Sequence, residues 1–145
     1  MILLDTNVLS EVTRKRPDET VIMWLDALDA ADVGTTAITV AELLYGVARL
    51  VPGRRKTRLT EAIYGLLNED LAGRVEPFDA AAAEHYATLV AEAERAGRPI
   101  SVADAQIAAI CRKLNATLAT RNTKDFTSTG IELVDPWGYH SGAAP

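Results

Sequence analysis

Three carboxylates carry the chemistry that this sequence could perform. Asp5 terminates the apolar run Met1-Ile2-Leu3-Leu4 and is followed by Thr6-Asn7 and a helical pattern. Glu42 stands in Thr39-Val40-Ala41-Glu42 and Asp104 in Ser101-Val102-Ala103-Asp104, each opening an amphipathic helix. An acid at the end of a buried strand, with a helix just behind it, marks the place where α/β proteins gather ligands. Three such acids, far apart in sequence, suggest one cluster of oxygen ligands. Carboxylates alone select hard cations such as Mg²⁺ or Mn²⁺. His85, in mid-helix, and His140, in the tail, cannot assemble a zinc site. A carboxylate-held Mg²⁺ that activates water in line with a phosphodiester is a nuclease centre.

A purely structural reading competes with this one. Thr39-x-x-Glu42 matches a capping box and Ser101-x-x-Asp104 is close to one, so either acid could simply satisfy a helix amide. Two features favour chemistry. Asp104 shares a helical stripe with Ile107, Cys111 and Leu114 and therefore points inward, where an unpaired charge is costly. Gly46, one turn after Glu42, leaves room beside it, and neither acid has a Lys or Arg partner at helical spacing. Other catalytic sites fail on residue grounds. There is no glycine-rich phosphate loop, Gly-x-Ser-x-Gly elbow or credible Cys–His pair. An aspartyl-phosphate at Asp5 stays open as a small-molecule phosphohydrolase reading. Against it, position 7 is Asn where a haloacid-dehalogenase-type enzyme would carry a second Asp. A non-catalytic RNA- or protein-binding module is the other alternative.

The elements that must position these acids alternate in type. Strands are expected at Met1–Leu4, Val33–Thr36, Arg74–Phe78, Thr117–Thr120 and Ile131–Val134. Helices are expected over Asn7–Thr13, Asp18 or Glu19 to Ala30, Thr39–Leu50, Arg55–Leu71, Asp79–Ala96 and Ser101–Leu114. That alternation implies an α/β fold, a parallel sheet with helices on both faces. With 145 residues, 48% of them hydrophobic, the chain reads as a single domain over residues 1–140, and 141–145 as a disordered tail. Trp24 and Met23 are expected in the core, with a dimer contact as the alternative, and Cys111 as a buried thiol suited to a reducing cytoplasm. No signal peptide or membrane span is expected. The net charge of −5 argues against a surface coated for nucleic acid. Its positive charge is nevertheless clustered, at Arg14–Arg16, Arg54–Arg58, Arg112-Lys113 and Arg121…Lys124.

Taken in order, several segments resemble a PIN domain of the VapC type, the toxin ribonuclease of bacterial toxin–antitoxin pairs. They are Leu4-Asp5-Thr6-Asn7, Ala41-Glu42-Leu43-Leu44-Tyr45-Gly46, Asp104-Ala105-Gln106-Ile107-Ala108, Thr120-Arg121-Asn122-Thr123-Lys124-Asp125-Phe126 and Asp135-Pro136-Trp137. The resemblance implies a Mg²⁺- or Mn²⁺-dependent endoribonuclease with Asp5, Glu42 and Asp104 as its acidic triad. It also implies a homodimer and an antitoxin whose tail occludes the site. Where the family often has a fourth acid this chain has Asn122, so Asn122 or Asp125 is a further candidate ligand. Asp125 is also read as tying down the turn before Phe126. Thr6 and Thr120 are expected to steady carboxylates or waters. Arg121, Lys124, Arg54, Arg55, Lys56 and Arg58 are expected phosphate contacts.

Overall fold

The computed structural model describes residues 1–145. Its centre is a parallel sheet in the order β3-β2-β1-β4-β5, formed by β1 (Ile2–Leu4), β2 (Val33–Thr36), β3 (Val75–Glu76), β4 (Thr117–Ala119) and β5 (Leu133–Val134). Strand β1 lies in the middle, pairing Leu4 with Thr35 on one side and with Ala119 on the other. Successive side chains of a strand point to opposite faces, and the two apolar runs use both. Leu3 and Leu118 enter one core cluster, with Ile107, Cys111 and Leu89, while Leu4 and Ala119 enter another, with Val8, Trp24 and Ile63. The first cluster is covered by α5 (Ala80–Arg95) and α6 (Val102–Leu114). The second is covered by α1 (Thr6–Val12), α2 (Glu19–Asp26), α3 (Ala37–Ala48) and α4 (Arg54–Gly65). Helices on both faces of a parallel sheet are therefore what the chain forms.

The expected elements are all present, with shifts that have local causes. The edge strands β3 and β5 shrink to two residues each because only one neighbour pairs with them. Helix α3 starts at Ala37 rather than Thr39, since the Thr36 hydroxyl caps it by accepting the Thr39 amide at 3.0 Å. Thr39 is thus inside the helix, and the expected capping box with Glu42 does not exist. Helix α4 continues through a π-helical turn, Leu66–Asp70, to the expected end near Leu71. Trp24 is 1% exposed, as expected, but Met23 is 48% exposed and outside the core. A one-residue step turns a helical side chain by about 100°, so the two cannot share a face. Gly34 is required by a close approach: a Cβ there would meet the Arg74 carbonyl oxygen at 2.7 Å. Cys111 is fully buried, which pushes its thiol up to about 12, the Asp5 charge adding to the effect. No helix is long and apolar enough to cross a membrane.

Candidate functional site

The chain leaves β1 for β2 and β3 on one side, then returns to place β4 and β5 on the other. The C-terminal ends of β1 and β4 therefore flank the point where strand order reverses, the crevice where open α/β sheets bind ligands. Asp5 follows β1 and Thr120 follows β4. Backbone pairing locks them side by side, the Asp5 amide donating to Ala119 and the Thr120 amide to Val134.

Asp5 is 6% exposed and its carboxylate is held on both oxygens. Oδ1 accepts the Thr6 amide at 2.8 Å; Oδ2 accepts the Thr120 hydroxyl at 2.7 Å and the Asn7 amide group at 3.3 Å. The fully buried Thr120 Oγ1 itself accepts from Asn7 Nδ2 and from the Asn122 amide, both at 3.1 Å. With two donors directed at that oxygen, its own proton has one destination, Asp5. Asn7 also accepts the Arg121 amide at 3.0 Å through Oδ1, so this one side chain ties the β1 end to the β4 loop. Sequence reasoning used Asn7 only to weaken the phosphohydrolase reading and missed its role. Its contacts to Thr120 and Arg121 span more than a hundred residues and left no local signal.

Glu42 enters from α3 and accepts the Thr6 hydroxyl at 3.0 Å, so its carboxylate is tied to the neighbour of Asp5 rather than to a helix amide. Burial raises its pKa; the Thr6 bond works against this, and the charges of Asp5 and Asp104 raise it further. Asp104 enters from the first turn of α6, where Ser101 caps the helix by accepting the Asp104 amide at 3.2 Å. Its pKa is also raised, by burial first and then by Asp5 and Asp125, with Ser101 opposing. No Lys or Arg pairs with any of the three acids, since the salt bridges of the chain lie elsewhere.

The acids share one electrostatic environment but do not close into a ready-made ligand shell. Nowhere in the chain do three His, Cys, Asp or Glu side chains converge tightly enough to hold an ion directly. The donor set still fits a hard cation in kind: all oxygen, negatively charged and uncompensated. Mg²⁺ usually keeps several of its own waters, which suits carboxylates standing apart.

The remaining expected residues divide by location. Thr6 and Thr120 steady carboxylates directly. Asn122 is exposed, and only its backbone touches the cluster, donating to Thr120 and accepting from the Asp125 amide. The Asp125 carboxylate makes no hydrogen bond in the turn; its charge reaches Asp104, with which it lines a hollow that also holds Lys124. The turn itself is held by backbone and hydroxyl contacts around Phe126 and Thr129. Arg121 lines a larger cleft with Thr6, Glu42 and Gly46, and its guanidinium lies 4.9 Å from the centre of the Trp137 ring. Gly46 does face open space, with nothing within 4 Å of a Cβ built on it. Arg55 lines that cleft too, while Arg54 and Arg58 lie beyond it. Lys56 is turned away from both, its ammonium donating to the Ala48 and Leu50 carbonyls at 3.1 and 3.3 Å. It therefore closes the end of α3, with two of its three donors engaged there.

A family profile described as PIN domain matches residues 2–131. The chain is 42% identical over 137 residues to VapC ribonuclease Y4jK of Sinorhizobium fredii, covering 94% of this chain and 98% of that one. Toxin FitB of Neisseria gonorrhoeae is 44% identical, with 94% and 99% covered. The crystal structure of FitAcB from Neisseria gonorrhoeae superposes with a TM-score of 0.89 at 43% identity, covering 96% of this chain and all of that one. DNA-bound VapBC from Salmonella typhimurium superposes with a TM-score of 0.81 at 26% identity, with 93% and 97% covered.

Proposed function

The chain belongs to the PIN-domain family, and from that premise we propose that it is the endoribonuclease toxin of a toxin–antitoxin pair. Its reaction is metal-dependent hydrolysis of RNA phosphodiester bonds in the cytoplasm. The observation that carries the reading is the gathering of Asp5, Glu42 and Asp104 at the strand-order reversal without any cationic partner. Leaving several partly desolvated carboxylates unpaired is costly, and a bound cation offsets that cost.

Asp5 and Asp104, with Glu42 beside them, would hold Mg²⁺ or Mn²⁺, and the bound ion would supply a polarised water and neutralise charge on the phosphate. The chain's own residues do the positioning. Asp5 cannot rotate, because three donors fix both of its oxygens. Glu42, anchored through Oε1 by Thr6, is the acceptor placed to orient an attacking water. Arg121, steadied against Trp137 on the cleft wall, is a phosphate contact, and Lys124 is another beside Asp104. Asn122 contributes no charge, so Asp125 is the nearest additional acid and the candidate fourth ligand. A homodimer and a cognate antitoxin that blocks the cleft complete the proposal; relatives named for VapBC and FitAB assemblies support it.

The test is cleavage of single-stranded RNA with and without EDTA, beside Asp5→Asn and Asp104→Asn. Metal-dependent cleavage lost in both variants is the expected result. Variants that cut as fast as the parent would overturn the site.

A further inference from the structure

The cleft that holds Thr6 and Glu42 runs along α1, floored by α4, as far as Arg14 and Arg55. Arg55 is shared with a second hollow of about 540 Å³, lined only by Lys15, Arg54, Arg55 and Arg58. No acid lines this hollow, and none of its four cations forms a salt bridge. The basic run of α4 is sorted by helical geometry: positions 54, 55 and 58 face the hollow while Lys56 is occupied at the end of α3. Arg58 is held in place by its bond to the Thr13 carbonyl at 3.2 Å. The first turn of α4 carries no acid and Gly53 gives it no side-chain cap, so its dipole adds to the positive field. In a chain with 20 acidic and 15 basic residues, four converging cations without one acid between them concentrate a positive potential that attracts anions.

We propose that this hollow is a phosphate-binding subsite for single-stranded RNA, engaging the backbone of the strand whose scissile bond lies at Asp5, Glu42 and Asp104. The inference rests on the ribonuclease reading and deepens it by assigning the substrate a second anchor. Helix α1, with its seven residues, separates the two places by about 10 Å. A strand laid along α1 thus meets acids that hold its reacting phosphate through a cation, then arginines that grip a later phosphate directly. Guanidinium groups suit that task because they bind phosphate oxygens in a bidentate fork. Such contacts fix register over the acids without reading bases. An acidic peptide is less well served, since Glu11 and Glu42 line the adjoining cleft and would repel it.

The experiment is anisotropy titration of a labelled oligouridylate across a salt series, with Ca²⁺ in place of Mg²⁺. It compares the parent with Arg54→Gln/Arg55→Gln/Arg58→Gln and with the milder Lys15→Gln/Arg54→Gln, which removes no side-chain bond of the fold. The plot of log affinity against log salt should become shallower by about 0.7 for each phosphate that is no longer neutralised. Affinity near physiological salt should fall roughly 10-fold or more in the triple variant. Arg95→Gln, on α5 across the sheet, removes the same charge at a distance and should leave both quantities unchanged. Unchanged affinity and slope in the hollow variants would overturn the subsite, as would loss of binding only toward polyglutamate. Failure of the nuclease reading registers separately, as a parent that binds the oligomer but does not cut RNA with Mg²⁺.

Discussion

Asp79 and Asp104 are aspartates at the entrances of neighbouring helices, and the fold treats them in opposite ways. Asp79 caps α5, accepting the Ala82 amide at 3.0 Å and the Lys113 ammonium at 2.6 Å. That ammonium bond is the main reason its pKa is lowered. Asp104 lies in the first turn of α6, capped by Ser101, and receives no cation at all; burial, Asp5 and Asp125 raise its pKa. Glu42, in the second turn of α3, likewise has a raised pKa and no cationic partner. A helix entrance favours a carboxylate at both aspartates, so the dipole cannot account for the contrast between them. Where a fold supplies the counter-charge, the acid is structural. Where three acids feel one another's charge and are left without one, the proposed function assigns the counter-charge to a bound cation.

Activity separates the two classes most strongly. Asp5→Asn and Asp104→Asn should each lower RNA cleavage by about 100-fold or more, since even indirect partners of a bound metal cost roughly 10–100-fold. Asp79→Asn, which keeps a competent cap, should cut at the parent's rate in the same assay. A smaller loss, roughly 10–100-fold, is expected for Thr120→Val, which removes the shorter of the two bonds to Asp5 Oδ2 without removing any charge. If Thr120→Val proved harmless, the rigid hold on Asp5 would be irrelevant to catalysis.

Thermal unfolding with added Mn²⁺ distinguishes the same two classes of acid. Saturating metal should stabilise the parent and Asp79→Asn equally, by about 2.7 kcal/mol at a hundred times the dissociation constant. The shift should vanish in Asp5→Asn/Asp104→Asn; a flat response in the parent would return the acids to a structural role.

The smallest effect is in pH dependence, and its sign differs between the two classes. Glu42 and Asp104 bind protons more tightly folded than unfolded. Without metal, their contribution therefore favours folding below their ordinary values of 4.5 and 3.8 and weakens as pH rises through the raised ones. Asp79 contributes above its ordinary value of 3.8, and that stability is lost as pH falls through the lowered one. Glu42→Gln/Asp104→Asn should flatten the decline that begins just above those ordinary values and raise the metal-free Tm at neutral pH. Solvent screening keeps that gain to no more than about 4 °C. Asp79→Asn should flatten only the acid side.

Much of this was legible in the chain before folding. The apolar run Met1–Leu4 halting at Asp5, and the periodic stripe Ile107, Cys111 and Leu114, announced a strand and a helix by period alone. They placed Asp5 at a strand end and Asp104 on an inward stripe, which the half-buried position of Asp104 bears out. Glu42 was legible as an acid beside open space at Gly46. Its apparent capping box was misleading, because Thr36 and Thr39 are both plausible caps and only the end of β2 decides between them. The hub at Asn7 and the sorting of Lys56 away from Arg54, Arg55 and Arg58 had no sequence signature.

The alternating elements and the parallel sheet follow from the chain alone, because local period and turn chemistry act within a few residues. Which charges meet is set by packing in three dimensions. The strand order and the helix packing bring Asp5, Glu42 and Asp104 within reach of one another's charge, while the packing of α6 gives Lys113 to Asp79. Coulombic interaction depends on distance in space, and residues a hundred positions apart acquire that distance only when the sheet closes.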